Sequence, residues 1–291
     1  MRFAKMHGIG NDYVVVDARK ALVRRSDWQA AAKILCDRHF GVGSDGLVLV
    51  ETSDTADFKF RMLNPDGSEA EMCGNGIRCF AKYVADFGLV DKQVEWLIVE
   101  TLAGVRRVKL MRENGEVVSV QVSMGAPVLR PSRIPVILPQ SLDEEPDRVL
   151  DLPVIVGSRH LTVACVSMGN PHAVAFLDEP VASFPLVSLG PLVELHPAFP
   201  NRINFEIVNV ESPDQLNMRV WERGAGETMA CGTGACAVAV AARLLGFIGD
   251  KVDITLPGGI LTVEWDGRGE VLLTGPAALV FEGEWRGPIS F

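Results

Sequence analysis

Short apolar runs separated by turn residues dominate the chain and predict a protein built mainly from β-strands. In the first half these runs are residues 13–16, 47–50, 58–63, 94–99, 105–110 and 117–122. In the second half they are residues 161–166, 173–177, 204–210, 217–221, 252–256, 260–265 and 271–274. Because the connections are short for parallel crossovers, we expect mostly antiparallel sheets.

Three segments carry a helical pattern instead. Ser26 is a typical N-cap residue and predicts an outer amphipathic helix from Trp28 to Cys36. After Cys73, apolar residues recur at helical spacing as far as Phe87, whereas residues 235–242 are small and apolar on every side. The second pattern is typical of a fully buried helix, so we expect a sheet to wrap around it.

The chain also repeats itself. Cys73-Gly74-Asn75-Gly76 and Cys231-Gly232-Thr233-Gly234 lie 158 residues apart. The same register aligns further identical residues, namely Arg61 with Arg219, Glu69 with Glu227 and Ala81 with Ala239. Two more blocks follow in the same order, namely Gly10-Asn11 with Gly169-Asn170 and Thr101-Leu102-Ala103-Gly104 with Thr255-Leu256-Pro257-Gly258. We interpret the sequence as a duplicated domain.

The stretch 127–153 contains six prolines and little periodicity, which is typical of a connection between domains. We therefore expect an N-terminal domain at residues 1–125 and a C-terminal domain at 126–276. The predicted fold is α/β (α+β), with two pseudo-symmetric domains that each form a curved, mostly antiparallel sheet around a central helix.

Composition excludes several classes of function. With 28 basic and 37 acidic residues the net charge is −9, and no dense Lys/Arg run occurs, so we expect no nucleic-acid partner. The N-terminus lacks the apolar stretch of a signal peptide, and the longest small apolar run, residues 234–242, is too short to cross a bilayer, so we expect a cytoplasmic protein without membrane association. Six cysteines without a CxxC pair and five scattered histidines indicate neither a disulfide framework nor a metal site.

The two cysteines at predicted helix starts carry the candidate chemistry. The first turn of a helix has unpaired N–H groups and a partial positive charge, so a cysteine there is expected to have a pKa below the ordinary value. Two thiols on opposite sides of a carbon can act as base and acid in turn, which inverts its configuration. This pattern favours a racemase or epimerase. The two thiols do not require a pyridoxal cofactor, but the chain contains lysines, the residue type that binds pyridoxal, so the sequence alone does not exclude one.

Five motifs resemble the signatures of the diaminopimelate epimerase family. They are HGIGND at residues 7–12, NPDGSE at 64–69, MCGNGIRC at 72–79, MGNPH at 168–172 and ERGAGETMACGTG at 222–234. The resemblance covers nearly the whole chain in order. It implies a cofactor-independent enzyme that interconverts LL- and meso-diaminopimelate on the route to lysine and cell-wall peptide. It also implies a homodimer, and a C-terminal segment, residues 277–291, that returns to the first domain.

The resemblance also assigns residues. Cys73 and Cys231 match the catalytic pair of the family. The residues matching its substrate-binding groups are Asn11, Asn64, Gly74, Asn75, Asn170, Asn204, Glu222, Arg223, Gly232 and Thr233, the glycines and their neighbours serving as backbone donors. His172 and Glu222 match groups that tune the pKa of the cysteines. Some members carry Gln where this chain has Gly46, so position 46 is left out of the site.

Other interpretations use part of the same residues. A proline or hydroxyproline racemase would share the cysteines, but several Asn side chains and an Arg favour a longer ligand with two amino-acid groups. A non-catalytic amino-acid-binding protein would need the glycines and asparagines without the thiols, and a thiol oxidoreductase would use the cysteines as a redox pair. We expect the remaining cysteines, Cys36, Cys79, Cys165 and Cys236, to be buried structural residues.

Overall fold

The computed structural model describes residues 1–20, 23–24, 27–138 and 145–289, and the chain divides into two compact units. The first unit comprises Met1–Ser123 and Thr274–Phe291, and the second comprises Met124–Leu273. The chain therefore changes unit at 123/124 and 273/274, compared with the expected divisions at 125/126 and 276/277. The last segment of the chain thus belongs to the same unit as the first.

Strands outnumber helices in both units, which confirms the sheet-dominated α+β class. In chain order the strands and helices are β1 (Arg2–Gly8), β2 (Asn11–Asp17), α1 (Trp28–Cys36), β3 (Gly46–Glu51), β4 (Phe58–Leu63), β5 (Glu69–Ala70), α2 (Gly74–Asp86), β6 (Trp96–Thr101), β7 (Gly104–Glu113), β8 (Glu116–Ser123), β9 (Val149–Val156), β10 (Arg159–Ser167), β11 (Pro171–Phe176), α3 (Leu186–Glu194), β12 (Asn204–Ser212), β13 (Gln215–Glu222), β14 (Gly226–Thr228), α4 (Gly232–Leu244), β15 (Lys251–Leu256), β16 (Gly259–Glu264), β17 (Leu272–Gly275) and β18 (Ala278–Glu284).

Strand pairing follows the same plan in each unit. In the first unit β18 pairs with β1, β1 with β2 and β3 with β4, all antiparallel, while β2 and β3 are parallel. In the second unit β9, β10 and β11 pair antiparallel in turn, β11 and β12 are parallel, and β12 and β13 are antiparallel. The expected mostly antiparallel arrangement is confirmed, with β2–β3, β4–β6, β11–β12 and β13–β15 as parallel pairs. The argument from short connections fails at these four pairs because a helix lies within each connection.

The duplication visible in the sequence is present in the pairing register. Leu49 lies opposite Arg61 in the first unit, and Ile207 lies opposite Arg219 in the second, each pair shifted by the same 158 residues. The guanidinium Nε of Arg61 donates to Glu69 Oε1 at 2.7 Å. Its counterpart in Arg219 donates to Glu227 Oε1 at 2.8 Å. Backbone pairing and a side-chain ion pair were therefore inherited together.

A helix lies at the centre of each unit. Helix α2 contacts β1, β2, β3, β4, β7, β8 and β18, and α4 contacts β10, β11, β12, β15 and β16. Phe80 of α2 packs edge-on against Phe58 and Phe60, with ring centroids 6.4 and 5.5 Å apart. Ala235 to Ala242 of α4 are all buried, as the small apolar run predicts. The sheet surrounds α4 because that helix is apolar on every side of its middle turns, whereas the polar stripe of α2 is neutralised within the unit, where Lys82 pairs with Asp86 and donates to the Val117 carbonyl.

Two further helices pack on the outside of the sheets. Trp28, Ala31, Ala32, Leu35 and Cys36 of α1 are buried against β3 and β4, as their spacing predicts. The expected N-cap Ser26 lies outside the described residues. Helix α3 escapes prediction because it contains Pro191, which normally ends a helix. Within the described ranges the longest helices, α2 and α4, have 13 residues each, and none is long and apolar enough to cross a membrane.

The described parts of the proline-rich stretch, residues 127–138 and 145–153, contribute to the second unit. Val128 forms a bridge with Ser167, and Ile134 and Val136 are buried in the core of the second unit. Strand β9 begins at Val149 and includes Pro153, and β10 is its partner among the described strands. The expectation of a linker over the whole stretch is wrong, because proline is compatible with a strand at a sheet edge.

We expect the Arg61 ion pair to be a major contributor to the stability of the first unit. The Arg61 side chain is 4% exposed and contacts both Glu51, at 2.8 Å, and Glu69. Arg61→Met should lower the free energy of unfolding by about 3 kcal/mol, because it leaves two partly buried carboxylates without their cation. Urea denaturation monitored by circular dichroism measures the change. The control Arg286→Met, which removes an exposed pair with Glu284, should cost no more than about 0.5 kcal/mol, and equal losses would contradict the assignment.

Candidate active site

Polar residues collect at one end of each unit because the strand register brings four chain segments together there. The first residues of β2 and β3, the end of β4 and the start of α2 meet at this end, and β11, β12, β13 and α4 repeat the arrangement. The cross-strand partners that fix it are Tyr13 with Gly46 and Leu47 with Leu63, and His172 with Asn204 and Phe205 with Trp221. Each first strand follows a glycine turn, Gly10 (φ 90°) or Gly169 (φ 100°), a conformation that favours glycine.

Cys73 is the N-cap residue of α2. Its backbone is extended, and its Sγ accepts a hydrogen bond from the N–H of Gly76 at 3.5 Å. The first bond within the helix runs from the Ile77 N–H to the Cys73 carbonyl at 2.9 Å. The N–H groups of Gly74 and Asn75 precede that bond, so the helix supplies them no partner. A thiol and two amide donors are thus presented together, an arrangement that favours an anionic ligand.

A polar network surrounds this thiol in the first unit. The buried Tyr13 hydroxyl lies 3.0 Å from Cys73 Sγ and donates to Asn11 Oδ1. The same Oδ1 accepts from Asn75 Nδ2 at 3.0 Å. Asn11 Nδ2 in turn donates to Asp45 at 2.7 Å. The expected site residues Asn11, Cys73 and Asn75 are therefore brought together, with Tyr13 between them.

Charged residues anchor Asn11 from the side away from Cys73. Asp45 Oδ2 also accepts from the N–H of Asp12, and Arg38 donates to both carboxylates at 2.7 Å. Lys5 forms a further ion pair with Asp12. Burial raises the pKa of Asp12, but the hydrogen bonds from Arg38 and Lys5 outweigh burial and hold that pKa below its usual range.

Cys231 repeats the geometry of Cys73 at the start of α4. Its Sγ accepts from the N–H of Gly234 at 3.4 Å and lies 3.5 Å from the Thr233 hydroxyl. The first helical bond runs from the Ala235 N–H to the Cys231 carbonyl at 3.0 Å. The N–H groups of Gly232 and Thr233 again precede it. Both halves therefore present a cysteine at the first turn of a helix.

A buried His–Glu pair replaces the tyrosine in the second unit. His172 Nδ1 lies 2.7 Å from Glu206 Oε1, and both side chains are fully buried. His172 Nε2 lies 3.0 Å from Asn170 Oδ1, and Asn170 Nδ2 donates to the Thr233 hydroxyl at 3.2 Å. A continuous chain of contacts thus runs from Glu206 through His172 and Asn170 to Thr233 beside Cys231.

Acidic neighbours and burial decide the state of Cys231. Burial raises the pKa of Cys231 well above its ordinary value, and the charges of Glu222 and Glu206 raise it further against the Thr233 and Gly234 hydrogen bonds. The expected lowering is therefore wrong for Cys231, because the helix start is outweighed by burial and by two carboxylates. Burial also raises the pKa of Glu222, although hydrogen bonds with Thr228 and Cys231 lower it in part.

The remaining expected residues lie at the ends of strands. Asn64 follows β4, and its side chain donates to Ser68 at 2.9 Å within its own turn. Asn204 donates to the Pro171 carbonyl at 2.8 Å and accepts from the Arg223 N–H at 2.9 Å. Arg223 is exposed, and its guanidinium donates to the Asn201 carbonyl at 3.1 Å. Asn204 is thus a structural link, whereas Arg223 offers a positive charge to solvent.

The other four cysteines are buried, as expected, and all six cysteines, which lie in the described ranges, are free thiols. Burial raises the pKa of Cys79 to about 12 and that of Cys165 to about 12. Such thiols stay protonated and unreactive near neutral pH. What sets Cys73 and Cys231 apart from these thiols is their position as N-cap residues of α2 and α4.

Comparison with known proteins bears on the chain as a whole. The family model described as "Diaminopimelate epimerase" matches residues 3–130 and 164–280. The chain belongs to the diaminopimelate epimerase family. A curated family member from Acetivibrio thermocellus is 52% identical over 285 residues, covering 98% of each chain. Another, from Methanococcus maripaludis, is 49% identical over 285 residues, covering 98% of this chain and 99% of the relative.

Solved structures extend the fold beyond this family. A PhzF-family phenazine biosynthesis protein from Bacillus anthracis matches with a TM-score of 0.70 at 18% identity, covering 97% of this chain and 98% of that one. A hydroxyproline epimerase from Agrobacterium vitis matches with a TM-score of 0.70 at 16% identity, covering 97% and 91%. At these identities the likeness shows a common fold and nothing about the ligand.

Several residues that contact the expected site residues were not anticipated from the sequence: Tyr13, Asp45, Glu206 and Thr228. Two signals could have found part of this set. Tyr13 and His172 occupy matching repeat positions two residues after Asn11 and Asn170, so they share a strand face with them. Glu206 is a carboxylate within an apolar strand, where a charge requires a partner.

We expect the carboxylate of Glu222 to restrain Cys231. Glu222→Gln removes a negative charge that raises the pKa of Cys231, so it should lower that pKa and speed alkylation of Cys231 several-fold near neutral pH. Iodoacetamide labelling followed by peptide mass spectrometry measures the rate at this cysteine. The same change at exposed Glu211 should leave the rate unaltered, and an unchanged or slower rate in Glu222→Gln would count against the electrostatic restraint.

Proposed function

We propose that the protein is a diaminopimelate epimerase, which interconverts LL- and meso-diaminopimelate by moving a proton at one α-carbon. The observation that carries the proposal is the pair of N-cap cysteines, Cys73 and Cys231, each of which lies at the first turn of a buried helix and accepts a hydrogen bond from that turn. Membership of the family supports the substrate. The reaction needs a base and an acid of similar strength, and two thiols meet that requirement.

The proposed reaction proceeds in two proton transfers. One cysteine, as thiolate, takes the hydrogen from the α-carbon, and the C–H electron pair delocalises into the adjacent carboxylate. The other cysteine, as thiol, donates its proton to the opposite face of the same carbon. Configuration is inverted, and the two cysteines exchange protonation states.

Stabilising the intermediate charge is the main difficulty. The α-hydrogen of an amino acid is weakly acidic, so the extra charge on the carboxylate must be bound by preorganised donors. The N–H groups of Gly74 and Asn75, and those of Gly232 and Thr233, are the candidates, since they open α2 and α4. Comparable backbone donors are worth about 3 to 4 kcal/mol each in the transition state.

The direction of the pKa shift at Cys231 suggests its resting role. A thiol whose pKa is raised is protonated at neutral pH, so Cys231 enters the reaction as the acid. His172 and Glu222 are proposed to tune it, Glu222 through its charge and His172 through the contacts with Asn170 and Thr233.

The distal amino-acid group of the substrate is proposed to bind the remaining polar residues. Asn11, Asn64 and Asn170 are proposed to supply amide groups, Glu222 a carboxylate and Arg223 an exposed positive charge, while Asn204 contributes through its hydrogen bond with the Arg223 backbone. A chain with a net charge of −9 needs such local positive charge to attract a dicarboxylate. Proline has no second group to occupy these residues.

The proposal extends to the biological setting. We propose that the enzyme works in the cytoplasm as a homodimer, without pyridoxal or another cofactor, and supplies meso-diaminopimelate for lysine and peptidoglycan precursors. The two thiols carry both protons, so the proposed steps are complete without a further group.

We expect LL-diaminopimelate, and not L-proline, to be epimerised. In deuterated water the product should carry deuterium at the inverted carbon, while substrate recovered early stays largely unlabelled, because each face has its own proton carrier. Proton NMR of the α-hydrogen and polarimetry follow both substrates. Turnover of proline alone would refute the proposed substrate, and extensive return of the original hydrogen would indicate a single base.

We also expect both cysteines to be required. Cys73→Ala and Cys231→Ala should each reduce epimerisation at least about 10²-fold, the contribution of one general acid or base, while calorimetry still detects substrate binding. Cys236→Ala, which alters a buried thiol of α4, is the matched control and should remain active. Undiminished exchange of the α-hydrogen with solvent in both variants would exclude the two-thiol reaction.

A further inference from the structure

The Tyr13 hydroxyl occupies a position for which the proposed reaction has not yet assigned a role. The side chain is fully buried, and its oxygen lies 3.0 Å from Cys73 Sγ. The same hydroxyl reaches Asn11 Oδ1. A phenol buried between a reactive sulfur and an amide oxygen is held in place by both, so its orientation depends on what each of them can accept.

The proton count makes this arrangement two-state. A phenol has one proton to donate, although its oxygen can also accept. When Cys73 is a thiol, the S–H donates to the Tyr13 oxygen and the Tyr13 O–H donates to Asn11. When Cys73 is a thiolate, the Tyr13 O–H turns to the sulfur, and Asn11 Oδ1 keeps its bond from Asn75 Nδ2 at 3.0 Å. All partners remain satisfied in both states.

We propose that Tyr13 is a positioning residue whose hydroxyl proton switches between Asn11 and Cys73 as Cys73 changes protonation state, an inference that rests on the proposed two-thiol reaction. The switch stabilises the thiolate when it forms and releases it when the sulfur is reprotonated. No proton leaves Tyr13 at any step.

The surroundings keep the phenol neutral. Burial raises the pKa of Tyr13 well above its ordinary value, and the neighbouring thiolate raises it further. The charged and titratable groups around the pair are Cys79, Asp45, Asp12, Arg78, Lys5 and Arg38. Tyr13 therefore acts as a hydrogen-bond donor across the working pH range and does not compete with Cys73 as a base.

The second unit has different chemistry at the matching position. His172 stands 159 residues after Tyr13 and contacts Asn170 Oδ1 at 3.0 Å, as Tyr13 contacts Asn11 Oδ1. Its other ring nitrogen contacts Glu206. In the first unit the partner of Asn11 is the Tyr13 phenol, which stays protonated. In the second unit the partner of Asn170 is the His172 imidazole, which also contacts the Glu206 carboxylate. The two thiols are therefore supported by unlike groups.

Replacing the hydroxyl tests the switch. Tyr13→Phe keeps the buried ring and removes the donor to the thiolate, a bond to a charged group. We expect the pH midpoint of iodoacetamide alkylation at Cys73 to rise by about one unit or more, with about tenfold slower labelling below it. Tyr83→Phe is the matched control, because it removes the only other tyrosine hydroxyl in the chain, and it should leave labelling of Cys73 unchanged.

A second measurement uses the unaltered protein. With two tyrosines, ¹³Cζ-tyrosine labelling gives two NMR resonances, and the one absent from Tyr13→Phe belongs to Tyr13. We expect this resonance to shift across the pH range in which Cys73 becomes reactive, without reaching the value of a tyrosinate. A resonance that does not respond, or wild-type labelling in a folded Tyr13→Phe, would overturn the inference.

Neither measurement requires turnover. A protein that fails to epimerise diaminopimelate but shows both effects would contradict the proposed function and leave the switch intact. An active epimerase without either effect would do the reverse.

Discussion

The placement of the first turns of α2 and α4, whose leading N–H groups lie outside the bonding pattern within the helix, is the constraint on which the rest of each unit depends. A helix that begins in the interior must find partners for its first amides, and here the N-cap sulfur satisfies one of them in each half. The remaining donors point away from the helix at its first turn. The surrounding sheet buries each central helix, and the asparagine side chains hold its first turn in position through hydrogen bonds with Asn75 and Thr233.

This constraint explains why the central helices differ so much in composition. Helix α2 uses Phe80 to fill the space beneath β4, whereas nine of the thirteen residues of α4 are Ala, Val or Gly. Both solutions bury the helix, because what matters is the position of its first turn. The repeat therefore preserves Cys73 and Cys231 in register while the residues behind them have changed freely.

Much of this arrangement could be predicted from the sequence. The offset of the two CGxG motifs identified the duplication, and periodicity located most strands and the buried character of α4. Helix α3 could not be found, because Pro191 breaks the local pattern and the helix is stabilised by packing against β9, β12, β13 and β14. The raised pKa of Cys231 could not be found either, because it depends on Glu206 and Glu222 lying close in space, and sequence proximity to a helix start indicates the opposite shift.

The last glycines of the two CGxG motifs, Gly76 and Gly234, differ in how much space surrounds them. A methyl group at Gly76 would meet Met62 Sδ and the Phe60 ring at 3.4 Å, an ordinary contact. At Gly234 it would come within 2.8 Å of Glu206 Oε1, the oxygen that holds His172. Glycine therefore has a different role in each of the two matching motifs. At position 76 the neighbouring side chains leave space for a methyl group, whereas at position 234 the absence of a side chain makes room for the buried carboxylate of Glu206.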